Sequence, residues 1–574
     1  MPPEVAEARR VLAGIPASRG VAAGPALRFR RAAGLPAPRP FADAAAELAR
    51  AAAALGALAE DLAERAKAAS TATARDVLET QVLMAADPML AEDVAVRVAA
   101  GEDAAYAVHG ALTEQADGLR AAGGYFGERA ADLEDLRDRA VARVLGRPAP
   151  AIPAGGRPFV LVADDLAPAD TATLDPAVVL ALVTERGGPT SHTAIIARAL
   201  GLPAIVGCPG ALGIEDGMLV LVDGERGELT VGIDEREAAE ETARHDRVRR
   251  AELALGDGPG RTADGHRVPL LLNIGSVADL PADPESAAAV EGVGLFRTEL
   301  LFLDRVEEPD FEEQCAAYEA VFRALPGRRV VVRTLDAGAD KPLPFLDLGE
   351  EPNPALGVRG LRTARARPEL LDRQLAAIAA AAAAAAASGA GAAASAGASG
   401  ASGASDSPGA SAAEVWVMAP MVATESEARD FAARARAHGL ERVGVMVEIP
   451  AAALLADRIL AHVDFLSIGT NDLGQYTLAA DRQSGALADL LDPGQPALLA
   501  LVARCAEAGA AAGKPVGVCG EAAADPRLAP VLVGLGIGSL SMSARAVPAV
   551  RAALAGHTLA EAGRLAAEAL DAPS

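Results

Sequence analysis

VPLLLNIGS (268–276), GVGLFRTE (292–299), RVVVRTLD (329–336), VWVMAPMV (415–422), VGVMVEIP (443–450), FLSIGTND (465–472), PVGVCGEA (515–522) and SLSMS (539–543) follow one another through the second half of the chain. Each run is short and mostly apolar, the texture of a strand buried on both faces. Most pairs are separated by helix-like stretches, and the region slightly exceeds the roughly 250 residues typical of a (β/α)8 barrel. The spacing predicts eight parallel strands closed into a TIM-type barrel over residues 258–574.

Barrel chemistry gathers at the C-terminal ends of the strands, and nearly every run ends on a polar residue. Asn273, Arg297, Arg333, Glu448, the pair Asn471 and Asp472, and Cys519 with Glu521 all fall there. Arg297 and Arg333 offer planar forks for carboxylate or phosphate oxygens. Lys341 in DAGADKP would add a point charge, and loops after strands three and six could bring Arg359 and Arg482 over the same anion. Glu448 and Asp472 are hard oxygen donors suited to one Mg2+ whose other positions go to substrate and water. Taken singly, each arginine reads as a surface ion-pair partner and the two acids as charge balance; convergence at strand ends favours an anion clamp beside a cation.

The first half of the chain has a different texture. GIPASRGVAAGPALRF is strand and turn, broken by Gly and Pro. From Phe41 to about Leu145, long Ala, Leu, Glu and Arg stretches carry apolar residues at helical spacing. Strand-like runs return at RPFVLVADD, AVVLALVTE and MLVLVDGE. The predicted organisation is a small α/β domain from residues 1–25 and 147–235, with a helical bundle inserted at 26–146 and a charged linker helix at 236–257. Residues 381–413 become Gly/Ser/Ala low complexity and read as a disordered insertion after the third barrel helix.

ERGGPTSHTAIIARALGLPAIVG (185–207) joins a strand to a helix through Gly187 and Gly188. Thr190 or Ser191 is placed as N-cap, and His192 falls in the first turn. The positive end of a helix disfavours imidazolium and offers free N–H groups to an anion, so His192 suits a nucleophile that becomes a phosphohistidine. A plain capping role is the simpler reading of an isolated His; the full motif argues against it. The other histidines have no matching context.

Composition narrows the class further. The 574 residues carry 53 Lys and Arg against 78 Asp and Glu, a net charge of −25, which opposes nucleic-acid binding and suits a basic protein partner. No apolar run looks long enough to span a bilayer and the N-terminus lacks a signal peptide's apolar centre, so a cytoplasmic protein without membrane association is expected. The four cysteines are scattered without C-x-x-C spacing and read as free thiols. Lys and Asn are rare, three of each, so Lys341, Asn273 and Asn471 stand out.

GGPTSHTAIIARALGLPAIVG resembles the phosphohistidine motif shared by Enzyme I, pyruvate phosphate dikinase and phosphoenolpyruvate synthase. The opening GIPASRGVAAGPA and the ERAADLEDLRDRAVARVLG helix are similar to the Enzyme I family alone, as are VGVMVEIPAA and FLSIGTNDLGQYTLAADR at the barrel mouth. Pro189 departs from the Arg common in that family. No stretch has the length or Gly-rich strand pattern of the ATP-grasp domain that the dikinases and synthases need. The resemblance implies a phosphoenolpyruvate-dependent protein kinase with a swivelling phosphohistidine domain. It implies Mg2+ on Glu448 and Asp472, substrate on Asn471, Arg297, Arg333, Arg359, Lys341 and Arg482, and a proton for the departing pyruvate enolate from Cys519, whose thiol suits that role if its pKa remains near the ordinary ~8.5. It further implies HPr as carrier, docked on the helical insertion, and a homodimer formed by the barrel.

Overall fold

A computed structural model describes residues 9–572, except 30–33, 69–71, 123, 148–151, 154–155, 167–169, 171–173, 189–191, 255–257, 282–289, 304, 306, 339–342, 347, 350, 398–411, 482–486 and 488–489. The chain forms two compact units that divide at residues 248 and 249, within the stretch expected to link them.

The first unit begins with β1 (Arg10–Ala13), β2 (Ile15–Ser18) and β3 (Val21–Arg28). Among the described residues, five helices follow: α1 (Ala44–Ala68), α2 (Ala72–Ala85), α3 (Pro88–Ala99), α4 (Ala104–Ala122) and α5 (Gly124–Val144). Leu55, Leu58, Leu62 and Ala66 recur every three or four residues along α1 and are buried with Leu90, Val94 and Val98 of α3 and Leu136 and Ala140 of α5, as an amphipathic stripe requires. The Asp87 side chain caps α3 by accepting from the Met89 N–H at 2.9 Å, with Pro88 at the first helical position.

The chain then returns through β4 (Phe159–Ala163), β5 (Val179–Thr184), α6 (His192–Leu200), β6 (Ala204–Val206), β7 (Leu219–Asp223) and β8 (Glu228–Val231), and α7 (Glu235–Ala254) leads out. These strands join the first three in one eight-stranded sheet of order β1-β8-β7-β3-β4-β5-β6-β2. The bundle is thus inserted between β3 and β4, which pair in parallel from Ala26 to Arg28 against Val160 to Val162. The sheet therefore keeps residues 26–28, which the sequence reading had assigned to the bundle.

The second unit is a closed, all-parallel barrel. Its strands are β9 (Leu270–Ile274), β10 (Gly292–Arg297), β11 (Arg329–Arg333), β12 (Glu414–Ala419), β13 (Arg442–Val447), β14 (Phe465–Ile468), β15 (Val516–Val518) and β16 (Ser539–Met542), with β16 pairing back to β9. Among the described residues, ten helices accompany the strands in order: α8 (Phe311–Ala324), α9 (Pro368–Gly397), α10 (Glu425–Ala437), α11 (Pro450–Leu454), α12 (Ala456–Leu460), α13 (Thr470–Leu478), α14 (Pro496–Ala512), α15 (Leu528–Gly534), α16 (Val547–Ala555) and α17 (Leu559–Leu570). An apolar cluster of Leu295, Val331, Trp416, Met418, Met446, Phe465 and Cys519 is buried in the barrel, as layered side chains are in such folds.

Two expectations are corrected by α9. The stretch read as disordered from 381 is helical to Gly397, because Ala is the best helix former and Ala381 and Ala385 pack into the barrel's outer core; residues 398–411 lie outside the described residues. In addition, Pro368–Ser388 is long and apolar enough to cross a membrane by length and composition. It is a barrel helix with Leu371, Leu375 and Ile378 buried against the strands.

Candidate functional site

Parallel pairing sets Arg297 at the end of β10 directly beside Arg333 at the end of β11. Arg297 is exposed, whereas Arg333 is buried. The Arg333 guanidinium is held by Glu299, in the turn after β10, and by Asp336 Oδ2 at 3.2 Å, and one Nη donates toward Met446 Sδ at 3.6 Å. Burial opposes its charge, but Glu299, Asp336 and Glu448 outweigh that and hold the group above its ordinary pKa. It is a fixed cation.

Arg359 lies on the loop between β11 and α9 and is 1% exposed. It donates to both oxygens of Asp336 at 3.2 Å and stands 3.6 Å from Asp472 Oδ1. Asp336 thus bridges the two buried arginines. Neither Asp336 nor Glu299 was singled out from the sequence, although both lie within the runs that end β10 and β11. The available signal was an acid two or three residues beyond each strand-end arginine.

Glu448 follows β13 and Asp472 occupies the first turn of α13, both buried. Glu448 Oε1 accepts from the Met421 N–H at 2.6 Å, and Met421 adopts left-handed backbone (φ 57°) as it does so, a strained conformation of the kind found at functional sites. The other carboxylate oxygen lies against Gly469, where an added Cβ would come within 3.2 Å of it. Burial first, then repulsion from Asp336 and Asp472, pushes Glu448 up to about 8. Among the described residues no group of three or more His, Cys, Asp or Glu forms a ready metal cage. Two converging hard donors, whose repulsion a divalent cation would relieve, fit an ion that keeps its other positions for water and ligand.

Asn471 Oδ1 accepts from the Glu521 N–H at 2.9 Å, tying the start of α13 to the turn after β15. Cys519, at the end of β15, is 3% exposed and donates toward Ile468 O at 3.5 Å. Burial in the apolar barrel interior pushes its thiol up to about 11, above the ordinary value on which its suitability as an acid was conditioned. Asn273, within β9, donates to Cys519 O at 3.0 Å and accepts from Ser541 Oγ at 2.6 Å, so it braces the cysteine's backbone. Lys341 and Arg482 lie outside the described residues. All four cysteines are free.

The chain matches the models of the PEP-utilising enzyme PEP-binding domain over residues 249–559, the mobile domain over 155–227 and the N-terminal domain over 13–129. The phosphoenolpyruvate-protein phosphotransferase of Streptomyces coelicolor is 51% identical over 98% of this chain and 97% of its own. The chain belongs to the Enzyme I family. A phosphoenolpyruvate-protein phosphotransferase of Haloferax volcanii is 41% identical over 86% of this chain and 84% of its own, and the multiphosphoryl transfer protein of Xanthomonas campestris is 38% identical over 98% and 66%. As an Enzyme I family member the chain is a transferase.

Within this family member His192 opens α6, which follows β5 through Gly187 in the left-handed region (φ 94°) and ends at Gly201 (φ 69°). Thr190, Ser191 and Pro189 lie outside the described residues, so the expected N-cap does too. The strand-to-helix turn is fastened by Arg186, which pairs with Asp164, and by Thr184 Oγ1 donating to Arg186 O at 2.7 Å.

Proposed function

We propose that this Enzyme I family member is cytoplasmic, takes the phosphoryl group of phosphoenolpyruvate onto His192 and passes it to the histidine of HPr, the first step of sugar phosphotransferase transport. One observation carries the reading: buried Arg333 and Arg359 are interleaved with the carboxylates Asp336, Glu448 and Asp472, and exposed Arg297 pairs beside Arg333 at the strand ends. A three-carbon ligand bearing both carboxylate and phosphate matches that alternation of charge.

In this reading Arg297, Arg333, Arg359, Asn471, Lys341 and Arg482 bind substrate, and Glu448 and Asp472 hold Mg2+. The ion would neutralise charge on the phosphoryl oxygens. The fixed arginines orient the phosphoryl group for in-line attack by the His192 imidazole, and catalysis is by positioning and electrostatics. Pyruvate leaves as its enolate and takes a proton at the methylene carbon from Cys519. A thiol raised to about 11 stays protonated at neutral pH, as an acid must before it donates.

His192 and the barrel mouth belong to different compact units, so the histidine visits the barrel and then the carrier. The helical bundle supplies the carrier's surface: Leu83, Met89 and Val96 of α2 and α3 are 74%, 68% and 69% exposed, large apolar side chains that a partner would cover. The net charge of −25 suits a basic carrier. The barrel forms the homodimer.

The test is phosphoenolpyruvate-dependent labelling of the purified protein with Mg2+, with and without HPr. Acid-labile, base-stable label on the wild type, passed on to HPr and absent from His192→Ala, is the expected result. Stoichiometric label on the variant would overturn it.

A further inference from the structure

The loop that carries Arg359 is tied at three places. Glu351 turns its carboxylate back to accept from the Val358 N–H at 3.0 and 3.1 Å, closing residues 351–358 into a ring. That carboxylate occupies the space beside Gly357, where an added Cβ would lie 1.2 Å from Glu351 Oε2; any larger residue there has to push the carboxylate off the Val358 N–H. The Tyr476 hydroxyl, on α13 one turn beyond Asp472, donates to Ala355 O. The Tyr476 hydroxyl oxygen in turn accepts from Arg359 Nη1 at 3.5 Å, the outer edge of hydrogen-bond distance.

A phenol O–H is both donor and acceptor. Here it donates to the loop backbone and accepts from the arginine that the loop presents. Asp336 holds the opposite side of that guanidinium, and burial at 1% leaves Arg359 little freedom to find another pose.

We infer that Tyr476 is a positioning residue that locks the 351–359 loop onto α13 and thereby fixes Arg359 for the anionic substrate. It touches no reacting atom; it acts through Arg359. The inference rests on the reading of Arg359 as a phosphoenolpyruvate ligand. It further implies that the substrate clamp and the Asp472 end of α13 move as one piece.

The experiment is steady-state and single-turnover kinetics of Tyr476→Phe, Arg359→Lys and the double variant, in the full chain with Mg2+, phosphoenolpyruvate and HPr. Tyr476→Phe should raise KM for phosphoenolpyruvate about tenfold while kcat changes less than about threefold, since hydrogen bonds to charged groups carry effects of this order. In the Arg359→Lys background the same change should have less than about twofold effect, because coupled residues are non-additive. A purely structural tyrosine would lower both variants alike and shift the thermal midpoint. Gly357→Ala, which displaces Glu351, should reproduce the KM rise independently if Tyr476→Phe folds poorly. Unchanged KM in both Tyr476→Phe and Gly357→Ala, or additive effects in the double variant, would overturn the inference. An inactive wild type would instead reject the functional reading on which it rests.

Discussion

Each compact unit buries arginine among carboxylates, and the two sites resolve their charge differently. In the first unit Arg139 of α5 is 1% exposed and lies between Asp135, one turn earlier on the same helix, and Asp170, in the segment between β4 and β5. Arg139 pairs directly with both acids. Asp170 responds by rising to about 6, through burial first and repulsion from Asp135, with Arg139 and Arg65 opposing. A proton can settle that imbalance. At the barrel mouth Arg333 and Arg359 face Glu299, Asp336, Glu448 and Asp472. Two cations meet four acids on the ends of different strands, with exposed Arg297 beside them. The first arrangement is closed within its fold, joining bundle to sheet; the second keeps more acids than buried arginines, and in the proposed reading a cation would offset them beside an anionic ligand. Buried ion pairs are weak stabilisers but costly to break, so the same chemistry can act as a joint in one unit and, in the proposed function, as a ligand site in the other.

The comparison breaks most sharply at Arg139. Arg139→Met leaves two buried acids without their cation and should destabilise the first unit by about 3–5 kcal/mol, read as an earlier urea transition, while the barrel's own transition stays in place. Equal loss in both transitions would mean that the joint is not local to its unit.

Glu448→Gln tests the other side. Removing one acid from a crowded set should raise the thermal midpoint of the barrel in metal-free buffer by about 2–4 °C, and reduce phosphoenolpyruvate-dependent labelling of His192 by roughly a hundredfold. A lower midpoint with unchanged labelling would recast Glu448 as a structural partner like Asp135.

The smallest effect is in pH. Asp170 titrates in the fold near 6, above its ordinary 3.8, so the folded state holds the proton more tightly. Its contribution to stability is full below about pH 4 and is lost as pH rises through about 6. The urea midpoint of the first unit should therefore fall across that window relative to Asp170→Asn, which lacks the step; parallel curves would contradict the shift.

The repeating apolar runs set the barrel, because eight buried parallel strands require eight short Val- and Leu-rich segments, and the polar residues closing most of the runs marked the candidate end. The helix of 381–397 was missed because low complexity reads as disorder locally, whereas the buried faces of Ala381 and Ala385 are supplied by distant strands. The raised thiol of Cys519 was missed for the same reason: its position at a strand end was legible, but its apolar neighbours Phe465 and Met446 come from other strands.

The sequence by itself therefore determined the strand and helix pattern, the insertion of the bundle and the candidate residues Arg297, Arg333, Glu448, Asp472 and Cys519, since periodicity and strand-end chemistry are local properties. Only the tertiary structure decided which of these are buried and what opposes them. Asp336 between two arginines, Tyr476 over the Arg359 loop and Asp170 against Arg139 join residues far apart in the chain, and burial there converts ordinary side chains into fixed or shifted charges.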